Sequence, residues 1–317
     1  MYYSIRHVTR FRYSAPISQS VMELRMEPRS ERGQRCLNFR LALNPNARVM
    51  LYRDYLGNIV HHFDIPGQHH QLAIVAEATV EMKPFPDLPE SLPAQAWATL
   101  DEMARAEYDM LLPSYFTQPT LLLDELAAEL GVMRRDDPLS LLRQLNSAMY
   151  NSFAYKAQTT DVDSPIDVAL EARQGVCQDF AHIMTALVRS KLGIPCRYVS
   201  GYLFQRQNGQ ADRSAQDATH AWVEALLPDL GWVGFDPTNN LLCGERHIRV
   251  AVGRDYADVP PTRGVFKGEA ESELSVGVRV SPADEPQAEV ALQPIAHWSS
   301  GGDGAPDADE QQAAQQQ

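Results

Sequence analysis

Apolar and polar positions alternate with a period of two through most of the first eighty or so residues. Tyr3, Ile5, Thr9, Phe11 and Tyr13 fall on one side of a strand whose other side carries Arg6, Arg10 and Arg12, and Met22, Leu24 and Met26 interleave with Glu23, Arg25 and Glu27. The same period runs through Leu37 to Leu43, Ile59 to Ile65 and Leu72 to Val80, with Asp54 to Asn58 as a hairpin loop. Side chains that alternate in this way belong to strands with one face on a core. Five or six short strands of this kind predict a small antiparallel sandwich or barrel.

The period changes after KPFPDLPESLPAQAWA (residues 83–98), a proline-rich stretch that reads as a linker. Leu121, Leu122, Leu126 and Leu130 ahead of Gly131, then Leu141, Leu142, Leu145, Met149 and Phe153, recur at helical spacing. Ser164-Pro165 supplies a cap and a first-turn proline for a short helix that ends before Gly175. In RQGVCQDFAHIMTALVRSKLG (Arg173 to Gly193), Ile183, Met184, Leu187 and Val188 mark an amphipathic helix that begins at Cys177 and stops at Gly193, with Pro195 behind it. Strand patterns return in Arg197 to Phe204, Thr219 to Leu227 and Trp232 to Asp236, with turns at Gln207 to Gln210 and Pro228 to Gly231. One more strand is expected over Leu274 to Val280. From about Ser281 the polar, Gln/Ala-rich tail has too little apolar surface to offset its ordering entropy, and disorder is expected.

Length and charge narrow the possibilities. A chain of 317 residues fits two domains and a tail. With a net charge of −13 and no run of basic residues, nucleic acid is not an expected partner. No stretch is apolar and long enough to span a membrane and the N-terminus has no apolar core of a leader, so no membrane association is expected. Cys36, Cys177, Cys196 and Cys243 show no disulfide spacing, which points to reduced thiols and the cytoplasm. His61, His62, His69 and His70 lie in a strand and loop where neighbours point to opposite faces, so no metal is assigned to them. A Cys177/His182 and Cys243/His247 zinc pattern is also set aside, and no cofactor is expected.

Candidate chemistry centres on Cys177. A thiol on the first turn of a helix meets unpaired amides and the positive end of the dipole, which favour a thiolate and can hold an oxyanion. Same-parity residues share a strand face, which aligns His220, Trp222 and Glu224 on one strand and Trp232, Gly234 and Asp236 on the next. If the hairpin pairing sum is even, as when Leu226 faces Leu230, His220 and Asp236 lie opposite or one diagonal apart; an odd sum would turn Asp236 away. Cysteine attack on an amide needs the three roles these residues can fill: nucleophile (Cys177), general base then acid (His220) and orienting carboxylate (Asp236). A buried thiol, an edge histidine and a turn aspartate would be the structural alternative. Besides the Cys177 amide, Gln178 and Tyr155 are candidate oxyanion donors. Asp179 is a first-turn carboxylate, and Trp222 and Trp232 are core or cleft wall.

GVCQDFAHIMTALVRSKLGIPCRYVSGY (residues 175–202), ATHAWVEALLPDLGWVGFDPTNN (218–240) and GRDYADVPPTRGVFKG (253–268) resemble the bacterial branch of the transglutaminase-like superfamily, and the first eighty or so residues resemble its β-rich N-terminal region. The resemblance implies an α+β fold, in which an antiparallel β domain precedes a papain-like core of helices on a small antiparallel sheet. It places the family's Cys-His-Asp triad on Cys177, His220 and Asp236. The expected layout is a β sandwich or barrel over 1–84, a linker over 85–98, the catalytic core over 99–268 and a strand plus tail over 269–317. Hydrolysis of peptide or isopeptide-like amides in a peptide or protein substrate is the leading expectation, since an acidic calcium cluster and EF-hand spacing are lacking. Acyl transfer from glutamine to an amine and a non-catalytic scaffold are the alternatives. Oligomeric state is not readable.

Overall fold

The computed structural model describes residues 1–93, 95–205, 212–214 and 218–284. In chain order the strands β1 (Tyr2–Leu24), β2 (Gln34–Asn44), β3 (Met50–Arg53) and β4 (Ile59–Met82) are followed by helices α1 (Ala96–Met103), α2 (Leu121–Glu129) and α3 (Pro138–Ser152). Then come β5 (Ala154–Tyr155), α4 (Ile166–Ala172), β6 (Gln174–Gly175) and α5 (Cys177–Leu187). The remaining strands are β7 (Cys196–Leu203), β8 (His220–Leu227), β9 (Gly231–Asp236), β10 (Leu241–Leu242), β11 (His247–Gly253), β12 (Thr262–Lys267) and β13 (Ser272–Ala283). The turn expected at Gln207 to Gln210 and the tail beyond Ala283, apart from Asp284, lie outside the described residues.

The N-terminal sheet departs from a set of short strands. β1 and β4 are each one long strand, paired antiparallel along almost their whole length. The ladder slips between Arg12 and Gln19, where Pro16 has no amide hydrogen to donate, and opposite it lie Pro66 and Gly67, the latter at φ 100°. The two-strand ribbon bends there and packs on itself: Met22, Leu24, Phe63 and Ile65 from one half share a cluster with Leu72, Ile74 and Ala76 from the other. Two further strands of this six-stranded sheet arrive from the far end of the chain. β12 and β13 both pair antiparallel with β1, so Thr262 to Lys267, grouped by sequence with the catalytic block, is part of the N-terminal sheet. The expected strand over 274–280 lies within β13.

The second sheet runs β10-β9-β8-β7-β11, antiparallel throughout. α5 lies against β8 and β7, with α2, α3 and α4 on its other side. All eleven residues of α5 are therefore buried, including Asp179 and His182, and the helix is enclosed rather than amphipathic. Its core joins Phe180, Ile183, Met184 and Leu187 to Leu123, Leu142, Val223 and Phe235. The four helix side chains, each worth about 1.5–3 kcal/mol when withdrawn from water, are enough to fix where the helix starts. The helix extends into a π turn (Val188–Leu192) and stops at Gly193, φ 63°, as the sequence predicts. Pro165 is the residue before α4, not its first turn.

The two sheets meet. Tyr3, Ile5, Val80, Val276 and Val278 pack with Tyr202, Ile248 and Val250 of β7 and β11. The proline-rich stretch is also tied down: the Leu92 amide donates to Asp137 Oδ1 at 3.0 Å, and Phe85 lies under the Arg249 guanidinium.

Candidate active site

Cys177 is the first residue of α5, and the turn before it is built to hold it. β6 pairs with β5 in the one parallel ladder among the described residues, which sets Tyr155 opposite Gly175. Asp179, at the third helical position, accepts from the Val176 amide at 2.8 Å and from Thr160 Oγ1 at 2.7 Å. A carboxylate there satisfies one of the helix's unpaired donors. A Cβ on residue 175 would sit 2.6 Å from the Asp179 carboxylate, so glycine is required for this cap to close. Burial pushes the Asp179 carboxyl up from its ordinary value against the hydrogen bonds from Thr160 and Val176.

The β8–β9 hairpin settles the register. Leu227 pairs with Gly231 and Leu226 with Trp232 across a three-residue loop in which Asp229 is left-handed, φ 60°. The pairing sum is even and two residues larger than a Leu226–Leu230 pair would give. His220 and Asp236 are thus one diagonal apart on the same face. His220 Nε2 lies 2.8 Å from Asp236 Oδ2, with both side chains buried. Burial would lower the His220 pKa, but the charge of Asp236, its hydrogen bond and further contributions from Cys177 raise it from 6.5 to about 10. The other ring nitrogen, Nδ1, is buried without a hydrogen-bond partner, and Cys177 is the thiol that acts on this ring. Burial works against ionising Asp236 too, yet His220 and then His247 hold it well below the usual carboxylate range.

Two residues complete the carboxylate's surroundings that sequence reasoning missed. Asn239 Nδ2 donates to Asp236 Oδ2 at 2.8 Å, and the Thr238 and Asn239 amides donate to Oδ1 at 3.0 and 3.2 Å. The signal for this was present, because an aspartate that accepts from the backbone amide two residues on forms an Asx turn. His247 Nε2 is 3.2 Å from the same Oδ2. His247 starts β11, separated from β8 by β7 in the sheet, and no local pattern brings it here.

The other sequence candidates are placed as follows. Gln178 Nε2 donates to the Val162 carbonyl at 2.8 Å, so its side-chain amide is committed to the loop beside the helix. Tyr155 is half-buried against the helical core, next to the cysteine turn. His182 Nε2 accepts from the Tyr256 amide at 3.1 Å and stacks on Phe116, while burial lowers its pKa to about 3. The Cys177/His182 and Cys243/His247 pairs do not come together among the described residues, and all four cysteines are free thiols. His61 faces Glu27 at 3.3 Å and His69 faces Ser20 and the Gly67 carbonyl. Among the described residues, His220, Asp236 and His247 alone bring three potential donor atoms within 4.8 Å of one another. Those atoms are already joined by hydrogen bonds, and the Asn239 amide group donates into the same oxygen.

Residues 3–81 match the bacterial transglutaminase-like N-terminal region, and residues 125–237 match the transglutaminase-like superfamily. An uncharacterized protein of Mycobacterium tuberculosis is 38% identical over 296 residues, covering 88% of this chain and 92% of its own. One of Mycobacterium leprae is 32% identical over 279 residues, 87% of this chain and 96% of its own. A protein-glutamine gamma-glutamyltransferase of Pseudomonas aeruginosa is 35% identical over 107 residues, which is 31% of this chain but 15% of that enzyme. In fold, the chain is similar to a crystal structure from Cytophaga hutchinsonii described as a candidate cysteine protease, with a TM-score of 0.69 at 22% identity over 92% of this chain and 94% of that one.

Proposed function

The chain belongs to the transglutaminase-like superfamily, a cysteine-based catalytic fold, and from that premise we propose that it hydrolyses amide bonds of a peptide or protein through Cys177, His220 and Asp236. The observation that carries this reading is the polarity of His220. Nε2 is fixed on a buried carboxylate, Nδ1 is buried with no hydrogen-bond partner, and Cys177 is close enough to help raise the ring's pKa. A histidine so arranged takes a proton from a thiol and keeps it until a leaving amine needs it.

In the reaction, the Cys177 proton passes to His220 Nδ1 and the sulfur attacks the carbonyl carbon. Amides at the start of α5 support the resulting oxyanion. His220 then protonates the amine nitrogen, the C–N bond breaks and a thioacyl enzyme remains. Water, deprotonated by His220, attacks that carbonyl; the C–S bond breaks and the proton returns to sulfur. Asp236 keeps Nε2 protonated, so that Nδ1 is the nitrogen that exchanges the proton. Free thiols at all four cysteines accord with a reducing compartment, and we place the protein in the cytoplasm on that ground.

Iodoacetamide labelling followed by peptide mapping tests the nucleophile. Cys177 is expected to label faster than Cys36, Cys196 and Cys243; equal rates would defeat the reading. The likeness to the Pseudomonas enzyme supports a second outcome of the same chemistry, acyl transfer to an amine. A glutamine peptide supplied with a primary amine separates the two: release of free acid alone supports hydrolysis, and an amide conjugate supports transfer.

A further inference from the structure

β11 is the outer strand of the catalytic sheet, and an open strand edge presents backbone donors and acceptors in need of partners. Two side-chain amides from the N-terminal region supply them. Gln34 Nε2 donates to the Arg249 carbonyl at 2.8 Å, and its Oε1 accepts from the Arg249 amide at 2.8 Å. Asn58 does the same at Val252, with Nδ2 to the carbonyl at 2.8 Å and the amide to Oδ1 at 2.8 Å. The Arg29 amide adds a fifth hydrogen bond, to the Arg249 carbonyl at 3.0 Å. Gln34 and Asn58 are both buried. Each reproduces the donor and acceptor of a peptide group, so the N-terminal region acts as a surrogate sixth strand.

What this grip holds is the strand that begins with His247. The His247 ring is buried, packs edge-on against Trp222 at 5.3 Å and reaches Asp236 with Nε2, while the Gly244 amide points at Nδ1 from 3.4 Å. Burial lowers its pKa in spite of Asp236, so it serves as a neutral donor. The donors on Asp236 Oδ2 therefore come from three places: His220 on β8, Asn239 in the turn after β9, and His247 on a strand fastened by the other sheet. The first two are local to the hairpin; the third is not.

We propose that His247 is a positioning residue that fixes the Asp236 carboxylate toward His220, and that the N-terminal sheet, by clamping β11 through Gln34 and Asn58, keeps it in place. The inference rests on the cysteine-hydrolase reading above. It gives the N-terminal region a part in the chemistry, since the catalytic hairpin alone does not contain this hydrogen bond.

The rate of Cys177 alkylation by iodoacetamide at one fixed pH, read by mass spectrometry on the full chain, reports on the centre without a known substrate. His247→Leu is expected to slow it about tenfold, the scale on which supporting hydrogen bonds act on reactive groups. His247→Gln returns an N–H to Oδ2 and is expected to stay within about threefold of the wild type. A Gln34→Leu/Asn58→Leu double variant, with folding checked by circular dichroism, is expected to slow as His247→Leu does although it touches no residue of the centre. A folded His247→Leu protein with the wild-type rate overturns the proposal, as does a glutamine variant no faster than the leucine one, since lost packing would then explain both. A folded double variant with an unchanged rate overturns the role given to the N-terminal sheet. Wild-type Cys177 reacting no faster than Cys36 is a different result, and it brings down the hydrolase reading together with what rests on it.

Discussion

Replacing Asp236 by asparagine changes one oxygen into an NH2 group and keeps the shape of the site. The carboxylate is fully buried and accepts five hydrogen bonds, three at Oδ2 from His220, Asn239 and His247 and two at Oδ1 from the Thr238 and Asn239 amides. Asparagine has one acceptor oxygen. If it stays on the two backbone amides, an NH2 group faces three donors, and His220 has to present an unprotonated Nε2 to it. The ring's proton then sits on Nδ1, where it can no longer take one from Cys177. By the same logic that governs an aspartate-to-asparagine change in a hydrolytic triad, kcat/KM is expected to fall about 10³–10⁴-fold, or about 4–5.5 kcal/mol of transition-state stabilisation. Unpaired buried donors would cost about 3–5 kcal/mol of stability besides, so folding must be confirmed. A direct readout is the titration of His220 by NMR on histidine-labelled protein, with the resonance assigned from a His220→Gln variant. In the wild type burial opposes protonation and Asp236 overcomes it, which places the titration at about 10. In Asp236→Asn the two larger raising effects are gone and only those of Cys177 still oppose burial, so the His220 titration is expected to fall from its wild-type position toward its ordinary 6.5. A folded variant in which His220 still titrates at its wild-type position would refute the assignment of Asp236 as the orienting acid.

Two further outcomes follow from buried charge. Glu224 is fully buried between Arg197 and Arg249; Arg197 donates from Nε and Nη2 at 2.8 and 2.6 Å, Arg249 donates from Nε to the other oxygen, and the two arginines outweigh burial and lower the carboxyl pKa. Glu224→Gln strands part of that charge and is expected to cost about 3–5 kcal/mol in chemical denaturation; an unchanged midpoint would contradict it. His220, whose folded pKa lies above its unfolded one, contributes stability that is complete below about pH 6.5 and lost as pH rises toward about 10. The wild-type melting temperature should therefore fall more steeply than that of His220→Gln between these pH values, and parallel curves would count against a charged His220.

The sequence by itself determined everything that depends on neighbours along the chain. A strand's period of two allowed His220 and Asp236 to share a face if the hairpin sum was even, and the three-residue loop Pro228 to Leu230 seen in the structure made it so. Helical spacing with Gly193 as a stop placed Cys177 at a helix start. Only the tertiary structure decided what depends on the order of strands in a sheet. Residues 3–13 and 22–26 read as two strands because Pro16 interrupts the pattern, but they are one bent strand whose partners β12 and β13 lie more than two hundred residues away. Helix α5 carries an apolar stripe that reads as amphipathic, whereas its polar face is buried because Asp179 accepts from the Val176 amide at the helix's own start and from Thr160, and His182 accepts from the Tyr256 amide far along the chain. His247 reaches Asp236 for the same reason. Periodicity states which face of a strand is buried, but hydrogen bonds between distant strands choose the neighbour, and in this protein that choice brought the second histidine to the carboxylate.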